Sequence, residues 1–155
     1  MKLRWRVPWM VAIPIAAVLL LWIVPSLPAQ WAGSEGDRLF HEATELVREI
    51  IGPSNDHEVW GSDFWQAPRT TLEMLSGDCE DRAILVMWMI HLQTGLSPRL
   101  AIGTGRGSNP DHAWVEFNGY HYDPSVRRDP DWIPSETYRR IMYLTYHQVM
   151  DPFYE

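Results

Sequence analysis

The sequence predicts an α+β domain behind an apolar amino-terminal segment. Three observations carry that expectation. Segments with apolar residues at helical spacing fill the stretch from residue 37 to residue 95, an alternating hairpin with an Asn-Gly turn lies beyond residue 111, and an uncharged run opens the chain.

Lys2, Arg4 and Arg6 precede "VPWMVAIPIAAVLLLWIV" (Val7 to Val24), which has no charge and is long enough to cross a bilayer as a helix. Basic residues before a span keep the amino end in the cytoplasm, so the remainder is expected outside it. "SLPAQ" offers Ala29 before a cut but a bulky Leu27 two positions earlier, a poor small-x-small site. A retained anchor is therefore expected ahead of a cleaved signal peptide, which would leave the domain secreted or periplasmic. The expected layout is an anchor or signal peptide over residues 1–29, a linker over 30–37 and one domain over 38–155. With 155 residues, 46% of them hydrophobic, there is material for one core and not for two.

All twenty acidic residues follow Gln30, against ten basic ones there, so this part carries a net charge of −10. That excludes nucleic acid as the expected partner. Lys2 is the only lysine, which leaves the domain unable to crosslink itself through its own lysines.

In chain order, "GDRLFHEATELVREIIGP" places Leu39, Phe40, Ala43, Leu46, Val47, Ile50 and Ile51 on one helical face and stops at Gly52-Pro53. "SNDHEVWGSDFWQAP" is irregular, and "PRTTLEML" is a short helix begun by Pro68. A longer helix follows from Asp78, with Asp81 three residues on, an apolar run from Ala83 to Leu92 that predicts burial, and Gly95 as its stop. "PRLAIG" is a strand and "GTGRGSNPD" a glycine-rich loop; its G-x-G fragment opens no helix, so it is not a phosphate cradle.

"HAWVEFNGYHYDP" is the hairpin, with Asn118-Gly119 suited to a type I′ turn. Pairing Phe117 with Tyr120 sets Glu116 opposite His121, Val115 opposite Tyr122 and Trp114 opposite Asp123. His112, Trp114, Glu116, His121 and Asp123 then share one face, while Ala113, Val115, Phe117, Tyr120 and Tyr122 form the core face. "PSETYRRIMYLTYHQVM" is predicted as a terminal helix from Pro134, with Tyr138, Tyr143, Tyr146 and Met150 in the core.

Cys79 is the only cysteine, so it cannot form an internal disulfide. In an oxidising compartment cysteines usually occur in pairs, and a lone one calls for chemistry or packing. At the first turn of a helix, unpaired N–H groups favour a thiolate, whereas Asp78, Glu80 and Asp81 oppose it. His112 is the natural proton acceptor, and Asp123, diagonally across the hairpin on the same face, can hold its imidazole in the right tautomer. The bland alternatives are a buried cysteine, a surface histidine at a strand end and an Asp-Pro turn. No H-E-x-x-H or C-x-x-C spacing occurs, so neither a metal nor a cofactor is expected.

"FWQAPRTTLEML", "GDCEDRA" and "HAWVEFNGYHYDP", in that order over roughly residues 38 to 126, resemble the transglutaminase-like superfamily, within it the bacterial transglutaminase-like cysteine proteinases. The resemblance implies a papain-like fold, in which the cysteine helix packs on a small antiparallel sheet carrying the other two residues. It makes Cys79 the nucleophile, His112 the base and Asp123 the orienting residue, acting through a thioester acyl-enzyme. The N–H of Cys79 is the implied oxyanion donor, with Gln66 as a second, and Trp60, Trp65 and Trp114 are candidates for a substrate groove. The chain is short for that family. Some exported members hold calcium just before the cysteine, where this chain has Asp78 but a non-acidic Ser76.

The expected function is thus an extracytoplasmic, membrane-anchored cysteine peptidase or amidase acting on a protein or peptide, with hydrolysis favoured over transamidation. The rivals are a tethered transglutaminase-like module that binds peptides without turnover and an accessory of an envelope assembly.

Overall fold

A computed structural model describes residues 34–54, 64–105, 111–126 and 138–154, with side chains in the first helix described from residue 37. The predicted amino-terminal span lies outside them. Among the described residues, no helix is long and apolar enough to cross a membrane.

The chain folds as α1 (Ser34–Ile50), β1 (Gly52–Pro53), α2 (Pro68–Met74), β2 (Ser76–Gly77), α3 (Cys79–Thr94), β3 (Arg99–Thr104), β4 (His112–Phe117), β5 (Tyr120–Tyr122), β6 (Arg139–Leu144) and α4 (Tyr146–Met150). A single 3-10 turn, Asp151–Phe153, follows α4. This is the expected α+β class. The main sheet is antiparallel with the spatial order β5-β4-β3-β6, and β1 and β2 form a separate two-residue parallel bridge.

The predicted face of α1 is the buried one: Phe40, Ala43, Val47 and Ile51 are almost wholly covered. Phe40 stacks on Phe117 and Tyr122 with ring centroids 4.6 and 4.7 Å away, so α1 lies over the core face of the hairpin. A stacked aromatic pair contributes about 0.5–1.5 kcal/mol beyond its buried area. The α3 helix is buried on nearly every side from Asp81 to Met87 and ends at Gly95 in the left-handed conformation. A helix covered all round is one placed in the centre of a core, here between α1 and the sheet.

The hairpin has the expected register: Val115 opposite Tyr122, Glu116 opposite His121 and Phe117 opposite Tyr120. Asn118 and Gly119 both have positive φ, as a type I′ turn requires. Tyr120, expected in the core, is 41% exposed beside the turn at the tip of the hairpin.

The predicted terminal helix is corrected. Residues 139–144 form strand β6 along β3, and only Tyr146–Met150 is helical. Pairing with β3 overrides the local helical spacing, and Thr145 with Gln148 makes a capping box that restarts the chain as a helix there. Of the expected core residues on this segment, Tyr138, Tyr146 and Met150 are buried, while Tyr143 on the edge strand is 46% exposed.

The start of α3 is held by Asp81, which is fully buried. Its carboxylate accepts the main-chain N–H and the side-chain amide of Gln66, both at 2.7 Å, and the N–H of Asp78 at 3.4 Å. Arg82 Nε donates to the carbonyl of Gly77 at 3.0 Å. Asp81→Ala leaves these buried donors without an acceptor and is expected to destabilise the fold by about 3 kcal/mol or more in urea unfolding, with Asp81→Asn costing less.

Candidate active site

Antiparallel pairing brings the start of β4, the end of β5, the end of β3 and the start of β6 to one end of the sheet. His112 is the first residue of β4 and Asp123 immediately follows β5. Both are buried, and His112 Nε2 lies 2.6 Å from Asp123 Oδ2. An ionised carboxylate only accepts, so Nε2 carries the proton and Nδ1 is left as the basic nitrogen. The diagonal relation expected from the hairpin register is thus a direct hydrogen bond.

Asp123 is fixed by more than the histidine. Its Oδ2 also accepts the phenolic O–H of Tyr138 at 2.8 Å, and Oδ1 accepts the N–H of Ser125 at 2.9 Å across an Asx turn. Its main-chain carbonyl accepts Arg48 Nη2 from α1 at 2.9 Å, and the Arg48 guanidinium also pairs with Glu45.

Cys79 opens α3, where its N–H has no intrahelical acceptor and is available to a ligand. The thiol is half-buried and near enough to the main chain of Ala113, the residue after His112, for that N–H to favour negative charge on the sulfur. The sulfur thereby lies against the same end of β4 that carries the histidine. Its proton is held elsewhere: Sγ donates to Glu80 Oε2 at 3.0 Å. Burial, then Glu80 and the charge of Asp78, push the thiol far up, and the Ala113 N–H only partly opposes them. In this arrangement the sulfur is a neutral thiol and not a thiolate. Glu80 itself is pushed up to about 7, mainly by burial and with help from Asp78, against the pull of its hydrogen bond from Cys79.

Gln66 is wholly buried beside the first turn of α3. Asp81 takes one of its amide hydrogens and fixes which way the amide points, while Oε1 has no hydrogen-bond partner. Trp65, the preceding residue, is half-buried against the core. Trp114 lines no open groove: it is fully buried, packed with Ala101 and Tyr138 beneath the His112–Asp123 pair, its ring 4.8 Å from that of Tyr138. Trp60 lies outside the described residues. His121 sits opposite Glu116 as expected, but Arg140 takes both oxygens of that carboxylate at 2.7 Å, and burial lowers His121 towards its neutral form. Among the described residues no group of three or more His, Cys, Asp or Glu could hold a metal ion.

Sequence reasoning brought out Cys79, His112 and Asp123 but not the groups that hold them. Tyr138 was placed on a helix, and nothing local marks it as a partner of Asp123. Asp123-Pro124-Ser125 does carry a turn signal, and Glu80 was visible only as a neighbouring charge. Compared with models of known protein families and with curated proteins, the chain matches none.

Two expectations follow. Between about pH 4.5 and 7 the native Glu80 keeps a proton that the unfolded chain has released, so stability falls as pH rises through that window. Glu80→Gln is expected to flatten this slope, read from urea midpoints at pH 5 and 7.5, and to speed alkylation of Cys79 at neutral pH by removing a charge beside the sulfur. At Gly105, any Cβ would fall on the His112 ring. Gly105→Ala is therefore expected to displace the buried imidazole, slowing that alkylation severalfold and lowering stability as well, because the clash reaches His112 Cβ.

Proposed function

We propose that this chain is a transglutaminase-like cysteine enzyme with a papain-like arrangement, a peptidase or amidase that cleaves an amide bond of a protein or peptide through Cys79. The observation that carries the reading is the 2.6 Å bond from His112 to Asp123, formed at the start of β4 next to Ala113, whose main-chain N–H acts on the Cys79 sulfur. An orienting carboxylate behind the histidine serves proton transfer, and a binding surface has no use for it.

In this mechanism Sγ of Cys79 bonds to the amide carbon as its proton passes to Nδ1 of His112. Because the thiol starts neutral, deprotonation accompanies attack, with His112 as general base. The carbonyl electrons move onto oxygen, which the N–H of Cys79 receives at the helix start, and the second amide hydrogen of Gln66 is the further donor. Collapse breaks the C–N bond, and His112 returns the proton to the leaving amine. Water then adds to the thioester, giving its proton to His112, and the C–S bond breaks to release the acid and restore the thiol. An amine in place of water gives transamidation. The basic residues that precede the apolar run of residues 7–24 support anchorage to a membrane with this domain on the far side, and the net charge of −10 beyond Gln30 speaks against nucleic acid as partner.

The neutral thiol favours one rival, a tethered module that binds peptides without turnover. Iodoacetamide labelling of Cys79 from pH 5 to 9 separates them. The enzyme reading expects His112→Ala to slow labelling about tenfold or more near neutrality. Labelling that follows an ordinary thiol, equal with and without His112, overturns it and supports the binding module.

A further inference from the structure

We propose that Tyr138 is a positioning residue of this site, holding Asp123 through its phenolic O–H so that His112 keeps the tautomer and orientation needed to accept the thiol proton. The inference rests on the enzyme reading above and adds to it the residue that leads into β6, the strand farthest from Asp123 in the sheet.

The geometry shows how so distant a residue arrives. Ala101 and Gly103 of β3 stand opposite Trp114 and His112 of β4, so all four share the face that carries the site. Beyond Arg99 the side chains on this face of β3 dwindle to the methyl of Ala101 and the hydrogen of Gly103, with Gly105 next in the alternation. Gly103 lets the main chain of β6 close in: a Cβ there would strike the carbonyl of Arg139 and come within 2.9 Å of Arg140 Cα. Pairing of β3 with β6 shifts between Ile102 and Gly103, because Met142 faces Ile102 while Arg140 faces Gly103, which leaves Ile141 as a bulge. A bulge re-aims the strand end, and Tyr138 immediately precedes that end.

The ring of Tyr138 then lies across the face, 4.8 Å from Trp114 and 5.3 Å from His121, and is 5% exposed. Its hydroxyl ends on Oδ2 of Asp123, the same oxygen that receives His112 Nε2. Two donors on one carboxylate oxygen fix the carboxyl plane and disperse its charge. Without the phenol, that oxygen would be held by the imidazole alone and would grip its protonated form more tightly.

Tyr138→Phe keeps the ring and its packing and removes only the hydroxyl. Labelling of Cys79 by iodoacetamide in this variant is expected to fall about tenfold at pH 7, the loss of one charge-assisted hydrogen bond, with the pH midpoint moved upward. The proton resonance of His112 Nε2–H should shift, with a modest fall in thermal stability for the lost buried hydrogen bond and the fold retained. Tyr138→Leu, which also removes the ring, should lower stability as well. An unchanged labelling profile and an unchanged His112 resonance in folded Tyr138→Phe overturn the role of Tyr138 and leave the enzyme reading standing. Labelling of the parent protein that ignores His112→Ala overturns the enzyme reading and, with it, this one.

Discussion

The carboxylate of Asp123 accepts hydrogen bonds from His112, Tyr138 and Ser125, and the main-chain carbonyl of the same residue accepts Arg48. Four parts of the molecule, namely α1, the start of β4, the turn after β5 and the entry to β6, therefore meet on one residue. Buried carboxylates are tolerated when their oxygens are satisfied, and here each donor is delivered by an element with its own reason to be there. The α1 helix is seated by Phe40 on the hairpin, and β6 is seated by glycine on β3. The site follows from packing that would be favourable without it.

Asp81 plays the corresponding part at the other wall. It gathers Gln66 and Asp78 around the first turn of α3 and so presents Cys79 at the end of β4. Four carboxylates near the site divide into two pairs with opposite consequences for the thiol. Asp81 and Asp123 are spent on orientation, whereas Glu80 and Asp78 act on the thiol and keep it protonated. The proposed mechanism accordingly relies on the histidine at the moment of attack and less on a standing ion pair.

Local patterns in the sequence were enough to reveal the hairpin and its register, because side-chain alternation and the Asn-Gly turn are properties of neighbouring residues. The same holds for the buried face of α1 and for the cap and stop of α3. They also placed His112 and Asp123 on one face, from which their contact follows. What could not be read is β6. Arg139 to Leu144 carries no alternation strong enough to beat the helical spacing of its aromatic residues, and its strand character comes from β3. With β6 went Tyr138, and with it the burial of Trp114, a groove candidate from sequence that packs into the core instead. The hold of Glu80 on the thiol depends on a side-chain rotamer, which no spacing rule supplies.

Arg48 and Tyr138 come from nearly opposite ends of the described chain, and both bind Asp123. The contact of Arg48, 75 residues from Asp123, closes late because the intervening chain must lose its freedom first, and that of Tyr138 waits on residues made after Asp123. During synthesis the helices and the hairpin can form as they emerge, but Asp123 stays short of a partner until Tyr138 has been made. A nascent chain that already contains Cys79, His112 and Asp123 thus holds the ingredients of the site without its final geometry, and the order of synthesis makes the assembled site one of the last features of the fold to appear.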